Sequence, residues 1–368
     1  MQASLRYNPA FDGLRAVSVI LVVADHCNVP GFNPGFFGVD FFFVLSGFLI
    51  TRLLAAEIET KGRVDLLHFY LRRFLRLGPP LLLMLAAYLA FAPTAWPQFS
   101  VEEHLRDAAL TGFYLSDYAR AFWGLPRVLQ HSWSLSVEEH FYLIWPLALL
   151  LLARCDARRR AQILLALFLL ATAWRIFEYY HAGWTATYYR FDTRTSGLIA
   201  GALLATCLSR MNPIPERTAN IIGIAAYAAL MICLSRGYWR SPWALVWMTT
   251  LAELAAVGFL IAASSSKSWF HSMLSTRPLV GLGIISYGIY LWHYPVAVYF
   301  RDWLPWYQTV SIAAVFAITT ATVSYLTIER PLQRYRRSLG ARENGRQVGT
   351  RAKDRAVMPA NEVVPTAT

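Results

Sequence analysis

Charged side chains are scarce in this chain. They make up 15% of its 368 residues, whereas a soluble globular domain has about 25%. Hydrophobic residues make up 56% of the sequence, and 13 residues are tryptophan. This composition excludes an ordinary soluble domain and indicates a protein that lies in a membrane.

Cysteine is also rare, and its spacing carries no pattern. Four cysteines stand singly, with no CxxC pair among them, at Cys27, Cys155, Cys207 and Cys233. Such spacing predicts neither a disulfide framework nor a metal cluster. The chain contains no P-loop, GxSxG or HExxH motif either, so it shows none of the corresponding motifs of soluble enzymes. We therefore expect no metal site.

Long apolar runs, by contrast, recur along the chain. Ten of them are close to the ~20 residues that a helix needs to cross a membrane. They cover residues 10–28, 36–56, 77–96, 133–153, 161–180, 188–208, 218–235, 243–263, 278–300 and 308–328. Because backbone groups cannot remain unpaired in lipid, each run is predicted to be a helix. The predicted fold is all-α, a polytopic integral membrane bundle of about ten transmembrane helices.

Positive charge is distributed unevenly between these runs. With the N-terminus placed in the cytoplasm, the cytoplasmic segments hold 24 of the 34 Lys and Arg residues, and the outer segments hold 6. This bias predicts that both termini are cytoplasmic. Topology and attraction to membrane lipids then explain the formal net charge of +12, and no nucleic acid partner is expected.

The chain divides into three parts. Residues 1–9 form a short cytoplasmic tail, residues 10–335 form the membrane domain, and residues 336–368 form a basic tail. The basic tail lacks hydrophobic periodicity and is predicted to be disordered. It is too short and too polar for a second catalytic domain, so any chemistry is expected in the membrane domain.

The first apolar run, FDGLRAVSVILVVADHC, contains ionisable residues. Arg15 and His26 are eleven residues apart, which places them on one helical face and about 16 Å apart along the axis. Ionisable groups at membrane depth usually face a protein interior or an aqueous cavity, where they have a function. This segment alone leaves a second interpretation equally open, with Arg15 as a cytoplasmic anchor and His26 as an interfacial residue.

A basic cluster precedes the third run. In HFYLRRFLRLGPP, three arginines stand just before Gly78: Arg72, Arg73 and Arg76. Arg72 and Arg76 share a helical face, where like charges repel, so an anion is expected to compensate them. Guanidinium groups suit bidentate contacts with phosphate. Lipid head groups are the alternative partner.

The fourth run begins with an acidic pair. In HSWSLSVEEHFYLIWP, Glu138 and Glu139 stand a few residues inside the run. Acidic side chains that enter a span can act as a base, a proton relay or an orienter of histidine. They can equally stabilise a helix N-terminus through the helix dipole. His293, in the later run LGIISYGIYLWHYPV, is interpreted as a packing residue, and the loop residue His131 receives no role.

Six segments together carry a resemblance to a known family. In order along the chain they are FDGLRAVSVILVVADH, FFGVDFFFVLSGFLIT, FYLRRFLRLGPP, WSLSVEEHFYLIWP, ISYGIYLWHYPV and IERPL. In this order the chain resembles the acyltransferase 3 family of polytopic bacterial membrane acyltransferases, from Asn8 to Arg334. That family decorates polysaccharides, lipids and some small molecules. The resemblance therefore implies an enzyme, an O-acyltransferase.

The resemblance also implies roles for individual residues. His26 matches the family's catalytic histidine, Arg15 its partner in the first helix, and Glu138 the acid of the WSLSVE-like pattern. The family's RRxxR pattern is matched by Arg72, Arg73 and Arg76. Two positions depart from the family. His140 stands where Gln is common, and Ser196 stands where an acid is frequent, so both could tune the choice of acceptor.

The mechanism that follows from this resemblance is acyl transfer from a cytoplasmic donor, in the first place acetyl-CoA. The arginine cluster is expected to hold its phosphates, while its pantetheine arm passes between helices through a continuous passage toward His26. His26 is expected to act as general base or as transient acyl carrier, with Glu138 as its orienter. The expected acceptor is a carbohydrate or lipid-linked glycan, and the expected location is the bacterial inner membrane.

Two other classes of function remain open. A proton-coupled transporter or flippase of glycan intermediates would use Arg15, His26 and Glu138 as a relay. A scaffold subunit that works with glycan-assembly proteins would use the buried charges for packing only. Substitution of His26 separates the three classes, because an enzyme loses acylation, a carrier loses export and a scaffold loses assembly.

Overall fold

The computed structural model describes residues 7–332 of the chain. Within that range the backbone forms fourteen α-helices and no strand. They are α1 (Pro9–His26), α2 (Gly38–Lys61), α3 (Leu66–Ala95), α4 (Val101–Gly112), α5 (Ser116–Trp123), α6 (Trp133–Leu152), α7 (Ala157–Tyr189), α8 (Phe191–Leu208), α9 (Glu216–Arg236), α10 (Thr249–Ser264), α11 (Trp269–Leu274), α12 (Arg277–Ile284), α13 (Ser286–Phe300) and α14 (Trp306–Ser324). The all-α prediction is confirmed. The predicted basic tail, residues 336–368, lies outside the described residues, as do residues 1–6 of the N-terminal tail.

Membrane-length helices account for most of the predicted spans. Seven stretches of the described chain are long and apolar enough to cross a membrane, and they contain α2, α3, α6, α7, α9, α10 and α14. The bent pair of α12 and α13, whose axes differ by 71°, supplies an eighth. The other two predicted spans form α1 and α8, of 18 residues each, whose ionisable residues lower their hydropathy. The protein is thus a multi-pass membrane protein, while the count of ten and the cytoplasmic termini stay predictions.

Capping side chains determine where the helices that carry the site begin. At α1 the Asn8 side chain accepts a hydrogen bond from the Ala10 N–H at 3.0 Å, and Pro9 occupies the first helical position, as is common at helix starts. At α3 the Asp65 side chain accepts from the His68 N–H at 3.0 Å. Helix α3 therefore begins well before the predicted span at 77–96, and the basic cluster belongs to the same helix as that span.

The centre of the bundle is the crossing of α2 and α8. A Cβ atom added at Gly47 of α2 would overlap the carbonyl of Leu198, and one added at Gly201 of α8 would overlap the carbonyl of Val44. Glycine at these positions lets the two backbones touch, as small residues do in membrane helix pairs. The small residues of α8 thus allow these two helices to pack closely.

Two ion pairs are buried around this crossing. Arg194 of α8 lies 2.7 Å from Asp40 of α2, and Arg175 of α7 lies 3.2 Å from Glu253 of α10. All four side chains are at most 1% exposed. The Ser196 hydroxyl joins the second pair, accepting from Arg175 at 2.6 Å and donating to Glu253. Because a buried charge without its partner is costly, these pairs fix the four helices relative to one another.

Candidate active site

Two cavities lie at opposite ends of α1. The first, which we name the arginine cavity, has a volume of about 560 Å³ and is lined by Arg15, Arg73 and Arg76 among others. The second, the histidine cavity, has a volume of about 320 Å³, and its lining includes His26 and His131. The rise of an α-helix places Arg15 and His26 about 16 Å apart along the axis. The residues predicted to form one site therefore divide between two.

Three cations face the arginine cavity. Arg15 lies 3.9 Å from Asp12, and the Arg73 guanidinium lies 4.5 Å from the centre of the Tyr142 ring. Among residues 7–332, neither Arg73 nor Arg76 has a carboxylate within ion-pair distance. Guanidinium groups without an ion pair suit an anionic ligand, phosphate above all.

Arg72 is not part of this cavity. Its Nη2 lies 3.5 Å from Glu57 Oε2, and its side chain is absent from the lining. Residues three and four apart are both neighbours on a helix, so periodicity places Arg76 near Arg72 and Arg73 alike. In the structure the Arg72 side chain is directed to Glu57, whereas Arg73 and Arg76 line the cavity. Of the three arginines expected to form one phosphate site, the structure brings Arg73 and Arg76 together with Arg15 and leaves Arg72 outside, and the phosphate site itself stays a prediction.

Glu138 also belongs to the arginine cavity. Its Oε1 accepts a hydrogen bond from the Ser46 hydroxyl at 2.6 Å, and its Oε2 accepts one from the Tyr142 hydroxyl at 3.3 Å. The side chain lines the same cavity as Arg15. The expectation that Glu138 orients His26 is wrong, because His26 makes its hydrogen bond elsewhere, at the other end of α1.

His26 is hydrogen bonded to His293 of α13, which has no exposed surface. The two nitrogens, His26 Nδ1 and His293 Nε2, are 2.9 Å apart. His293 Nδ1 lies 3.0 Å from the Ile289 carbonyl, which can only accept, so this nitrogen carries the proton. Neutral His293 then accepts at Nε2, His26 donates from Nδ1, and the His26 Nε2 lone pair stays free. A lone pair held in this way is what a general base requires. His293 thus does more than the packing predicted for it.

His131, to which the sequence analysis gives no role, lies beside this pair. It is 2% exposed and lines the histidine cavity. Its ring stacks on Tyr294 with 4.5 Å between centroids, and Tyr294 also contacts His26 at 4.7 Å. The three histidines are more than 100 residues apart along the chain, so no local spacing predicts that they meet.

The remaining walls of the histidine cavity are aromatic. Tyr188 packs against Trp133 at 4.9 Å and against Trp239 at 4.7 Å between ring centroids, and all three line the cavity. Asp25 and Arg301 add polar groups to the lining. Aromatic walls with a few polar groups are typical of sites that bind organic ligands.

A hydrogen-bonded layer separates the two cavities. Within the described range they share no lining residue. Between them, the Tyr290 hydroxyl donates to the His131 carbonyl at 2.8 Å and lies 2.6 Å from the Ser134 hydroxyl. Arg15 and His26 do line cavities, as expected, but they line two separate ones, whereas the prediction has one continuous passage between them.

The two departures from the family pattern lie away from both cavities. His140 Nδ1 is 3.1 Å from Asp117 Oδ2, and Ser196 belongs to the buried ion pairs of the bundle. Neither side chain is in the lining of a cavity. The expectation that these two positions tune the acceptor is therefore not supported by their location.

Comparison with known proteins agrees with these features. The family model described as an acyltransferase domain, that of the acyltransferase 3 family, matches residues 8–329. The chain is similar to the peptidoglycan O-acetyltransferase OatA of Listeria monocytogenes serovar 1/2a, with 33% identity over 90% of this chain and 56% of that protein. It is also similar to the O-acetyltransferase OatA of Staphylococcus aureus strain NCTC 8325, with 33% identity over 90% of this chain and 58% of that protein.

A third relative is the putative peptidoglycan O-acetyltransferase YrhL of Bacillus subtilis strain 168, with 32% identity over 93% of this chain and 57% of that protein. The chain thus spans a little over half the length of the curated relatives it matches. No solved structure matches it. Because the family model covers nearly all of the described residues, the chain belongs to the acyltransferase 3 family.

Proposed function

We propose that this protein is an integral membrane O-acetyltransferase of the bacterial inner membrane. It moves an acetyl group from acetyl-CoA to a hydroxyl of a cell-surface glycan, with His26 as general base or transient acyl carrier. The observation that carries this proposal is the pairing of His26 with His293, which leaves the His26 Nε2 lone pair free beside the histidine cavity. The family and the names of the relatives support the same class of reaction.

His26 acts through one nitrogen in either variant of the reaction. As a base, Nε2 takes the proton of the acceptor hydroxyl while the hydroxyl oxygen bonds to the thioester carbon. The C–S bond then breaks, sulfur leaves with the electron pair, and His26 returns the proton to sulfur. As an acyl carrier, Nε2 bonds to the thioester carbon, the C–S bond breaks and coenzyme A leaves as the thiolate. The hydroxyl oxygen then bonds to the acetyl carbon, the N–C bond breaks, and the hydroxyl proton passes through Nε2 to the thiolate sulfur.

The arginine cavity is the proposed site for the phosphates of acetyl-CoA. Its three arginines offer bidentate donors, and two of them have no ion pair with any residue of the described range. The distribution of Lys and Arg predicts that this end of α1 faces the cytoplasm, where acetyl-CoA is found. The pantetheine arm then has to cover the ~16 Å rise of α1 to reach His26, which requires the layer at Tyr290 to open.

The histidine cavity is the proposed site for the acceptor. The rings of Trp133, Tyr188 and Trp239 offer flat apolar faces, against which the C–H face of a sugar ring can pack. Asp25 and Arg301 can hydrogen bond to its hydroxyl groups. A glycan acceptor is also supported by the relatives that are named peptidoglycan O-acetyltransferases.

The proposal is tested by acetyl transfer with the purified full-length protein in proteoliposomes. With radiolabelled acetyl-CoA and glycan fragments from bacterial envelopes, the wild-type protein is expected to label the glycan. His26→Ala, which inserts normally, is expected to reduce transfer by about 10³-fold because the base is lost. His181→Ala is the matched control, since His181 is an exposed residue of α7 outside both cavities.

Two outcomes would contradict the proposal. Full transfer by His26→Ala would rule out both variants of the mechanism. Movement of an unmodified glycan across the proteoliposome membrane, abolished by the same substitution, would instead identify a transporter.

A further inference from the structure

His131 is a buried imidazole with unused hydrogen-bonding capacity. It is 2% exposed, and neither ring nitrogen makes a hydrogen bond within the described part of the chain. The backbone of Leu291 lies beside the ring but outside hydrogen-bond geometry. Buried polar groups nearly always have a partner, so a ligand that supplies an acceptor to this ring would satisfy it.

The ring lies at the reaction centre proposed above. His131 and His26 line the same cavity, and both contact the ring of Tyr294, at 4.5 and 4.7 Å. Their centroids are therefore at most 9.2 Å apart, which is the sum of those two distances. With a hydrogen bond of about 2.9 Å from each ring, both imidazoles are close enough to contact the same small ligand group.

The surroundings fix His131 before any ligand binds. Its carbonyl accepts from the Tyr290 hydroxyl at 2.8 Å, and its ring stacks on Tyr294 with 22° between the planes. The edge of the ring meets His293 at 5.9 Å. A donor that is already in place stabilises a developing charge without a cost of reorganisation.

The neutral form of His131 is the one that fits this environment. In the described residues no carboxylate lies within ion-pair distance of its ring, and its closest polar neighbours include a second imidazole, His293. A buried cation without a counter-ion is costly. A neutral imidazole still carries one N–H, and it can polarise a carbonyl group by donating that hydrogen bond.

We propose that His131 is a further catalytic residue, which donates an N–H hydrogen bond to the acyl oxygen during acetyl transfer. The inference rests on the proposed O-acetyltransferase function. When the acceptor oxygen bonds to the thioester carbon, the carbonyl π pair moves to oxygen, and the His131 N–H stabilises this oxyanion while His26 Nε2 holds the acceptor's proton. When the C–S bond breaks, the carbonyl re-forms, sulfur takes the electron pair, and the proton passes from His26 to sulfur. His131 neither gains nor loses a proton.

The test compares His131→Leu, which removes the donor, with His131→Gln, which keeps an amide N–H. In the proteoliposome assay, His131→Leu is expected to lower kcat by about 10²-fold, because one oxyanion donor is lost. Both KM values should stay nearly unchanged, since the bond forms mainly in the transition state. His131→Gln is expected to retain roughly a tenth of the wild-type kcat. If His131→Leu does not insert, His131→Met provides the same comparison.

His104→Leu is the matched control for the loss of a buried imidazole. His104 is 1% exposed and belongs to α4, outside both cavities, so this variant is expected to keep the wild-type kcat. Three results would overturn the inference. The His131→Leu variant could keep the wild-type kcat, or the His131→Gln variant could have a kcat as low as that of His131→Leu. The third is that His131→Leu raises the KM for the acceptor and leaves kcat unchanged. Absence of transfer by the wild-type protein would instead overturn the proposed function itself.

Discussion

The two cavities differ in which of their polar groups are left without a partner. In the arginine cavity the carboxylate of Glu138 is satisfied by Ser46 and Tyr142, whereas Arg73 and Arg76 make no ion pair among the described residues. In the histidine cavity His26 keeps a free ring nitrogen and the His131 ring makes no hydrogen bond within the described residues, while Asp25 and Arg301 stand beside them. The first cavity is suited to hold an anion and the second to move a proton. Binding of the acyl donor and chemistry are thus assigned to opposite ends of α1, so substitutions at the two ends should change different kinetic constants.

The largest change in a kinetic constant is expected for substitution of His293, which should lower kcat. His293→Leu removes the acceptor that holds the His26 Nδ1 proton, so the His26 tautomer is no longer fixed and kcat should fall by about 10³-fold. The KM for acetyl-CoA should stay constant, because the site proposed for its phosphates is the other cavity. His293→Gln should recover part of the loss, since its side-chain carbonyl can accept from His26. A wild-type kcat in His293→Leu would show that the pairing has no role in the reaction.

A smaller effect, on the KM for acetyl-CoA rather than on kcat, is expected at the arginine cavity. Arg73→Gln and Arg76→Gln should each raise the KM for acetyl-CoA by about tenfold, because a charge-assisted hydrogen bond to phosphate is lost. The kcat at saturating acetyl-CoA should remain that of the wild-type protein. Arg72→Gln is the matched control on the same helix, outside the cavity. An equal rise in KM for Arg72→Gln would place the phosphates at the lipid-facing rim instead.

The smallest effect is expected at the layer between the cavities. Tyr290→Phe removes the hydroxyl that bonds to Ser134 and to the His131 carbonyl, at a net cost of about 1 kcal/mol. Because water then has easier access through the layer, the ratio of acetyl-CoA hydrolysis to glycan transfer should rise by about fivefold. Tyr227→Phe, at an exposed position of α9, should leave the ratio unchanged. An unchanged ratio in Tyr290→Phe would mean that this hydroxyl does not limit access of water.

Features that depend on local sequence are predicted well for this protein. Hydrophobic length alone places the membrane helices, because each has to satisfy its backbone within itself. The eleven-residue spacing places Arg15 and His26 on one face of α1, and in the structure both side chains line a cavity. The small residues of α8 likewise predict the close crossing at Gly201.

Features that depend on which helices are neighbours are predicted poorly. Periodicity shows which way His26 points but does not identify His293 of α13 as its partner. Glu138 enters the bundle from the expected end of α6, yet the packing of α6 on α2 brings it to Ser46 rather than to His26. For the same reason the roles of Arg72 and Arg73, which are adjacent in sequence, differ in the structure.

The buried Arg194 connects the walls of the two cavities. Its guanidinium lies 6.0 Å from the ring of Phe43, which lines the arginine cavity, and 5.6 and 5.0 Å from the rings of Trp133 and Tyr188, which line the histidine cavity. Removing one partner of a buried ion pair costs about 3–5 kcal/mol. This side of both cavities is therefore held stiffly in one position.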